Sequence, residues 1–318
     1  MAFLAGVDEA GYGPLLGPLT VGYSLFRAPD PELDLWGALP GACARAGGRD
    51  ERRIRVDDSK KVHAGPRGRD RLERSVAAFL GLRSGTPVRL RDWIEVPPAG
   101  ESRWYAELPW YAGLDAALCP SVAPERVRLD ATLLGRELAR AGCGFVGLGA
   151  RAVPATEWNA LLDRHGGKGG ALLATTLQVL QHLLGATAGA PLRVELDRHS
   201  GRTRYAAALQ RALEPARVEV HAEGPEASVY TLHFADREVQ MRFRVDGDSL
   251  AFPTALASMA AKLTRERVMD LWNDWFGARL PDLRPTKGYA KDGRRWLEEA
   301  APDLPDLGLD PRTLRRRL

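Results

Sequence analysis

Cysteine is scarce in this chain: Cys43, Cys119 and Cys143 lie far apart in 318 residues. An odd, scattered set offers neither a disulfide framework nor the paired spacing of a metal site, and it suits a reducing compartment. The six histidines show no zinc-ligand spacing either. Long apolar runs are missing, so no membrane span is expected. The opening MAFLAGVDEAG carries neither the basic region nor the extended apolar core of a secretory signal, and a cytoplasmic location is the expectation. Lysine is rare: of 45 basic residues only Lys60, Lys61, Lys168, Lys262, Lys287 and Lys291 are lysine. An arginine-favouring, GC-rich coding bias accounts for most of that. Common nucleotide and hydrolase signatures are absent as well. The glycines of GYGPLLG are spaced Gly-x-Gly-x-x-x-Gly, not as a dinucleotide fingerprint, and GGKGG lacks the spacing and the Ser/Thr of a P-loop. There is no Gly-x-Ser-x-Gly elbow.

What remains is a chain 45% apolar, enough for one large domain or two ordinary ones, with a modest net charge of +4 that permits a polyanionic partner. FLAGVDEA reads as a strand, and LTVGYSLFRA (19–28) as its antiparallel neighbour. RGRDRLERSVAAFLGL has helical spacing. Residues 83–165, with Trp93, Trp104, Trp110 and Tyr111 among prolines, read as an insertion or small subdomain. From 166 onward helix and strand alternate: a helix from GGKGG, the strand PLRVELD, a helix at RTRYAAALQRALEP, the strand ARVEVHAE and a hairpin over 228–246. The long helix TALASMAAKLTRERVMDLWNDWF, a turn and a short helix complete the pattern. The fold expected is α/β, a mixed sheet with antiparallel N-terminal strands followed by a parallel α/β part, flanked by helices. The expected domain covers 1–300, interrupted by the insertion, and a basic, solvated tail covers 301–318. A monomer is favoured.

Four acids stand out by position. Asp8 and Glu9 close the first strand ahead of Gly11, Gly13 and Pro14; Asp197 closes another strand; Glu266 lies on the long helix. Adjacent carboxylates leaving a buried strand repel and desolvate one another, a cost that needs an offset. Hard divalent cations provide one, because Mg²⁺ takes carboxylates together with water and substrate phosphate, and two such ions can activate a water and stabilise a leaving oxygen. Strand ends in such a sheet converge on one edge, where a packed helix can add a carboxylate. Each acid has a plainer reading. Strand-end aspartates cap turns, and Glu266 between Arg265 and Arg267 can be a surface ion-pair partner. Asp246, Asp248 and Glu223 are alternative acids, and His199 is either a proton shuttle or an ordinary loop histidine.

GVDEAGYGPLLGP resembles the opening of the type 2 ribonucleases H (ribonuclease HII and HIII), and DDSKKV (57–62), SMAAKLTRERVM (258–269) and KGYAKD (287–292) resemble three further segments of that family in the same order. The resemblance implies a ribonuclease H-like sheet and metal-ligand roles for Asp8, Glu9, Asp197 and Glu266, with Mg²⁺ or Mn²⁺ in a two-metal site. It also implies that the Gly11-Tyr12-Gly13 loop presents backbone amides to a ribose and scissile phosphate. Lys60 and Lys61 would contact phosphate, and Tyr289 would stack near an RNA–DNA junction. The "VDGDS" acids match a family segment read as structural. The implied activity is hydrolysis of the RNA strand of RNA–DNA hybrids, or of DNA containing ribonucleotides, giving 3′-hydroxyl and 5′-phosphate ends. Three departures stand in this sequence. Tyr12 replaces a basic loop residue, Arg198 follows Asp197 where the family has glycine, and a histidine common after the tyrosine motif is missing. Arg198 and Arg202 are candidates to restore the loop's lost charge. A catalytically silent nucleic-acid binder and a nuclease acting on DNA junctions are the rival readings.

Overall fold

The computed structural model describes residues 1–48, 50–83, 88–94 and 103–317. Parts of the expected insertion (84–87 and 95–102) and Leu318 of the expected tail lie outside the described residues. Seven strands form one mixed sheet: β1 (Ala2–Ala10), β2 (Leu19–Ala28), β3 (Gly144–Val153), β4 (Leu192–Asp197), β5 (Arg217–Glu223), β6 (Ala227–His233) and β7 (Glu238–Arg244), in the order β3-β2-β1-β4-β7-β6-β5. β1 pairs antiparallel with β2 and parallel with β4, and β4 pairs parallel with β7. The parallel part is therefore three central strands with antiparallel flanks on both sides. Residues 224–226 and 234–237 are too short for crossovers, so β5, β6 and β7 can only meander. Residues 83–165 do not stand apart from the sheet, since they supply the edge strand β3.

The helices used below are α1 (Ser59–Val62), α2 (Gly68–Gly81), α3 (Pro124–Arg140), α4 (Ala155–His165), α5 (Lys168–Ala186), α6 (Ala206–Leu213), α7 (Gly247–Leu250), α8 (Phe252–Gly277) and α9 (Ala290–Ala300). The sheet is covered on both faces. Leu4 and Phe26 pack with α8 residues such as Leu256 and Met259, whereas Val7, Val21 and Val194 pack with Leu172 and Val179 of α5. Strand alternation thus puts Leu4, Gly6 and Asp8 on the α8 face. That helix lies directly on the strands: a Cβ on Gly6 would come within 2.0 Å of the Pro253 carbonyl carbon, and one on Gly22 within 2.1 Å of the Ala257 oxygen. Hydroxyls reinforce the contact, with Ser24 donating to the Pro253 carbonyl at 2.8 Å, Thr20 to Ala261 at 2.9 Å and Thr254 to Glu195 at 3.0 Å. Among the described residues no helix is long and apolar enough to cross a membrane.

Candidate metal centre

Because β1, β4 and β7 run parallel, their C-terminal ends share one edge of the sheet, and the acids that close β1 and β4 meet there. Asp8, Glu9 and Asp197 each offer a carboxylate oxygen within 4.8 Å of the others. A cleft of about 350 Å³ opens over them, walled by the 10–14 loop, α1, α7 and α8. Asp248 joins from α7. Asp246 takes a left-handed conformation (φ 54°), and the Gly247 N–H that follows donates to Asp197 Oδ1 at 2.8 Å, bringing α7 against the end of β4. Ser258 of α8 donates to Ser59 Oγ at 3.0 Å and lies 3.5 Å from Asp248 Oδ2, tying α8, α1 and α7 together beside Asp8.

The electrostatics agree with the crowding. Burial raises the Asp8 carboxyl well above the ordinary range, and the charges of Glu9 and Asp197 raise it further against the Ser258 hydrogen bond. Burial, and then Asp197, push Glu9 to about 8. Asp197 is raised by burial, with the Gly247 amide opposing, and burial with the charges of Asp58 and Asp197 lifts Asp248 to about 6. Lys60 is the cation whose charge counters Glu9, Asp197 and Asp248. An all-oxygen donor set this crowded ionises fully only against added positive charge, which is the chemistry of a hard divalent cation site.

Glu266 does not join this set. Its carboxylate accepts from Lys262 Nζ and Lys287 Nζ, each at 2.7 Å, and although burial works against it those two lysines hold it at about 2. Asp248, outside the close-packed trio, lines the same cleft and feels the charge of Asp197. The sequence signal was VDGDS immediately before the long helix, read there as structural. Glu223 accepts from the Tyr230 hydroxyl at 2.7 Å, away from the cluster. His199 is buried, pairs with Thr176 Oγ1 at 3.1 Å and is pushed by burial to about 3, so it stays neutral and is unsuited to shuttling protons.

The remaining sequence candidates line the same cleft with one exception. Gly11 needs its positive φ of 82°, and a Cβ there would sit 2.7 Å from the Pro18 oxygen; around Gly13 the protein leaves open space. Tyr12 turns its ring edge-on to Trp158, with Lys168 Nζ 5.5 Å from its centroid. Lys60 and the half-exposed Tyr289 are at the rim. Lys61 is the exception: it donates to Ser249 Oγ at 3.0 Å and sits 4.0 Å from Asp57, fastening α1 to α7. Of the two arginines considered as substitutes for loop charge, Arg202 shares a recess with Tyr12, whereas Arg198 is spent on the Gly224 and Pro225 carbonyls.

Two buried arginines shape the glycine loop, and sequence reading identified neither. Arg265 of α8 donates to the carbonyls of Pro18 (2.8 Å), Leu16 (3.2 Å) and Lys287 (2.8 Å). Arg316, from the tail expected to be solvated, is fully buried and donates to the carbonyls of Gly11 (2.5 Å) and Tyr12 (2.8 Å). A trans peptide points its N–H opposite its C=O, so the Tyr12 and Gly13 amides are directed away from Arg316.

No family model and no curated protein matches the sequence. Among solved structures, the fold is similar to an RNase HII from Archaeoglobus fulgidus, solved as a complex with PCNA (15% identity, TM-score 0.43, 99% of this chain and 94% of that one). It is similar also to ribonuclease H2 from Pyrococcus horikoshii OT3 (16% identity, TM-score 0.42, 99% and 92%) and to Bst-RNase HIII solved with Mn²⁺ (12% identity, TM-score 0.44, 100% and 66%).

Proposed function

We propose that the chain is a divalent-metal-dependent endonuclease that hydrolyses the RNA strand of RNA–DNA hybrids, leaving 3′-hydroxyl and 5′-phosphate ends. The observation that carries the reading is the meeting of Asp8, Glu9 and Asp197, with Asp248 beside them, at the shared edge of three parallel strands. Four acids in one cleft repel a phosphodiester unless cations intervene, which is a poor design for a passive nucleic-acid binder. The four motif segments, in family order, support the substrate class.

In this reading Asp8, Glu9, Asp197 and Asp248 hold Mg²⁺ or Mn²⁺. When bound, such ions supply Lewis-acid activation of water and neutralise charge on phosphate. The chain's own groups do the rest. The Ser258 hydroxyl, beside Asp8, favours its ionised carboxylate and donates to Ser59. The Tyr12 and Gly13 amides present two donors to an anion, as backbone nests do, and Gly13 leaves room for the close approach. Lys60 adds a phosphate contact at the rim, and Tyr289 offers an exposed ring for stacking on a base or sugar. Glu266 neutralises Lys287 and the cleft-lining Lys262 and is not assigned as a ligand.

The test is incubation with Mg²⁺ or Mn²⁺ on three matched duplexes: an RNA–DNA hybrid, DNA with one ribonucleotide, and plain DNA. Cutting confined to ribonucleotide-containing strands, lost in Asp8→Asn and Asp197→Asn with binding retained, is the expected result. Equal cutting of plain DNA overturns the substrate in favour of a DNA nuclease, and no cutting with either ion leaves a silent binder.

A further inference from the structure

Away from the acids lies a second cleft, of about 800 Å³, walled by Ala46, Gly48, residues 51–55 and α2, and closed by Arg126 of α3. Seven arginines line it, against two carboxylates, Glu51 and Asp70. Most of the arginines are neutralised. Asp50 pairs with Arg52 and Arg53, Glu51 with Arg67, and Asp130 with both Arg74 and Arg126. Arg55 and Arg71 have no carboxylate partner among the described residues. Arg71 gives its guanidinium to the Val62 and Ala64 carbonyls. Arg55 is 6% exposed, donates to the Gly48 carbonyl at 2.6 Å, and leaves its Nη1 without a partner among the described residues.

A buried guanidinium with an unsatisfied nitrogen and no carboxylate at ion-pair distance among the described residues is costly even with Asp50 and Glu51 nearby, and an anion entering the cleft removes that cost. Arginine's planar fork suits phosphate in particular. The chain that forms the wall continues directly into the acid cleft. Arg55 and Lys60 are five positions apart, so their backbones can be separated by no more than about 18 Å. That distance is about five nucleotides of rise along one strand of a duplex.

We propose that this arginine-lined cleft is a second phosphate-binding site, which takes the backbone of the same nucleic acid a few nucleotides from the position cut. The proposal rests on the reading above that the ligand is nucleic acid. Arg55 and Arg71 are positioning residues, since they would hold substrate and touch no reacting atom.

The experiment measures binding without divalent ions, by fluorescence anisotropy over a salt series. It uses a hairpin-closed hybrid of about 4 base pairs, too short to span the five nucleotides between the two clefts, and a hybrid of about 24, long enough for both. Arg71→Gln and Arg55→Gln are each expected to weaken the long duplex about 3- to 10-fold and to flatten its log K against log salt slope by about one. Binding and cutting of the short duplex should stay at the parent level. Arg71 is half-buried and its replacement is decisive if Arg55→Gln fails to fold in a thermal melt. An unchanged slope with the long duplex, or an equal loss with the short one, overturns the proposal. A protein that cuts neither duplex but shows the long-duplex slope change overturns the nuclease reading and leaves this site standing.

Discussion

Glu266 is held between Lys262 and Lys287 while Asp248 lines the acid cleft, and a single substitution tests which of the two serves a metal. Glu266→Gln removes the charge held between Lys262 and Lys287, leaving two ammonium groups close together. Loss of a charged, buried hydrogen-bonded acceptor should cost about 1–3 kcal/mol at pH 7, read by urea unfolding. The pH dependence has a definite sign. The folded-state value of about 2 lies below the ordinary 4.5, so the stabilisation is complete above 4.5 and is lost as pH falls toward 2. The parent and variant curves should therefore converge below pH 4.5. Cutting should survive in Glu266→Gln; its abolition, as in Asp8→Asn, would return Glu266 to the ligand set. Three of the acids were legible because they end strands, where period-two alternation fixes which face each side chain takes. The fourth was not. Glu266's fate depends on Lys262 one turn earlier and on Lys287 across a loop, while Asp248 depends on a left-handed residue at Asp246 that the letters VDGDS do not announce.

The elements that place these side chains touch at backbone distance, which makes the seat of α8 brittle. Gly22 sits opposite Asp8 in the β1–β2 ladder. A methyl there meets the Ala257 oxygen, a backbone atom that cannot swing aside. Gly22→Ala should cost about 1–3 kcal/mol by overpacking and lower Tm by several degrees in calorimetry. It should also reduce cutting, because lifting α8 carries Ser258 away from Asp8. A Tm equal to the parent's would show that the helix does not rest on the strand. The C-terminal segment acts as an element in the same sense, since Arg316 also donates its backbone N–H to Leu15 and lies 4.8 Å over the Trp158 ring. Arg316→Lys keeps the charge but cannot span two carbonyls, so it should raise KM for substrate several-fold with a smaller change in kcat. Equal kcat and KM in that variant would make Arg316 a packing residue only. RTLRRRL reads as solvated because four basic letters outweigh its pattern, and its acceptors lie some three hundred positions away, where no local signal reaches. The edge strand β3 was hidden for a different reason. Gly144, Gly147 and Gly149 interrupt its alternation, one of them to admit Tyr23, whose ring atoms would lie 2.6 Å from a Cβ on Gly149.

At the scale of the whole molecule, the acid cleft joins segments up to three quarters of the chain apart: β1 at the start, the end of β4, and α7 ahead of the long helix. The α/β class and the shared edge were readable from the order of strands and helices, since parallel neighbours must end on the same side. The balance of charge at that edge was not readable from a net charge of +4. Without cations the cluster opposes folding whenever its members ionise, so a divalent ion that binds only the folded state should stabilise the entire domain by RT ln(1 + [M]/Kd), about 2.7 kcal/mol at a hundredfold excess over Kd. Protons compete for the same oxygens. With Glu9 near 8 and Asp248 near 6, the stabilisation should be large at pH 8 and small at pH 5.5, where both carboxyls are mostly protonated. Thermal unfolding in Mn²⁺ or Mg²⁺ at the two pH values measures this directly. The rise in Tm should disappear in Asp197→Asn and persist in Glu266→Gln. A rise of the same size at both pH values, or one surviving in Asp197→Asn, would place the ion elsewhere on the molecule.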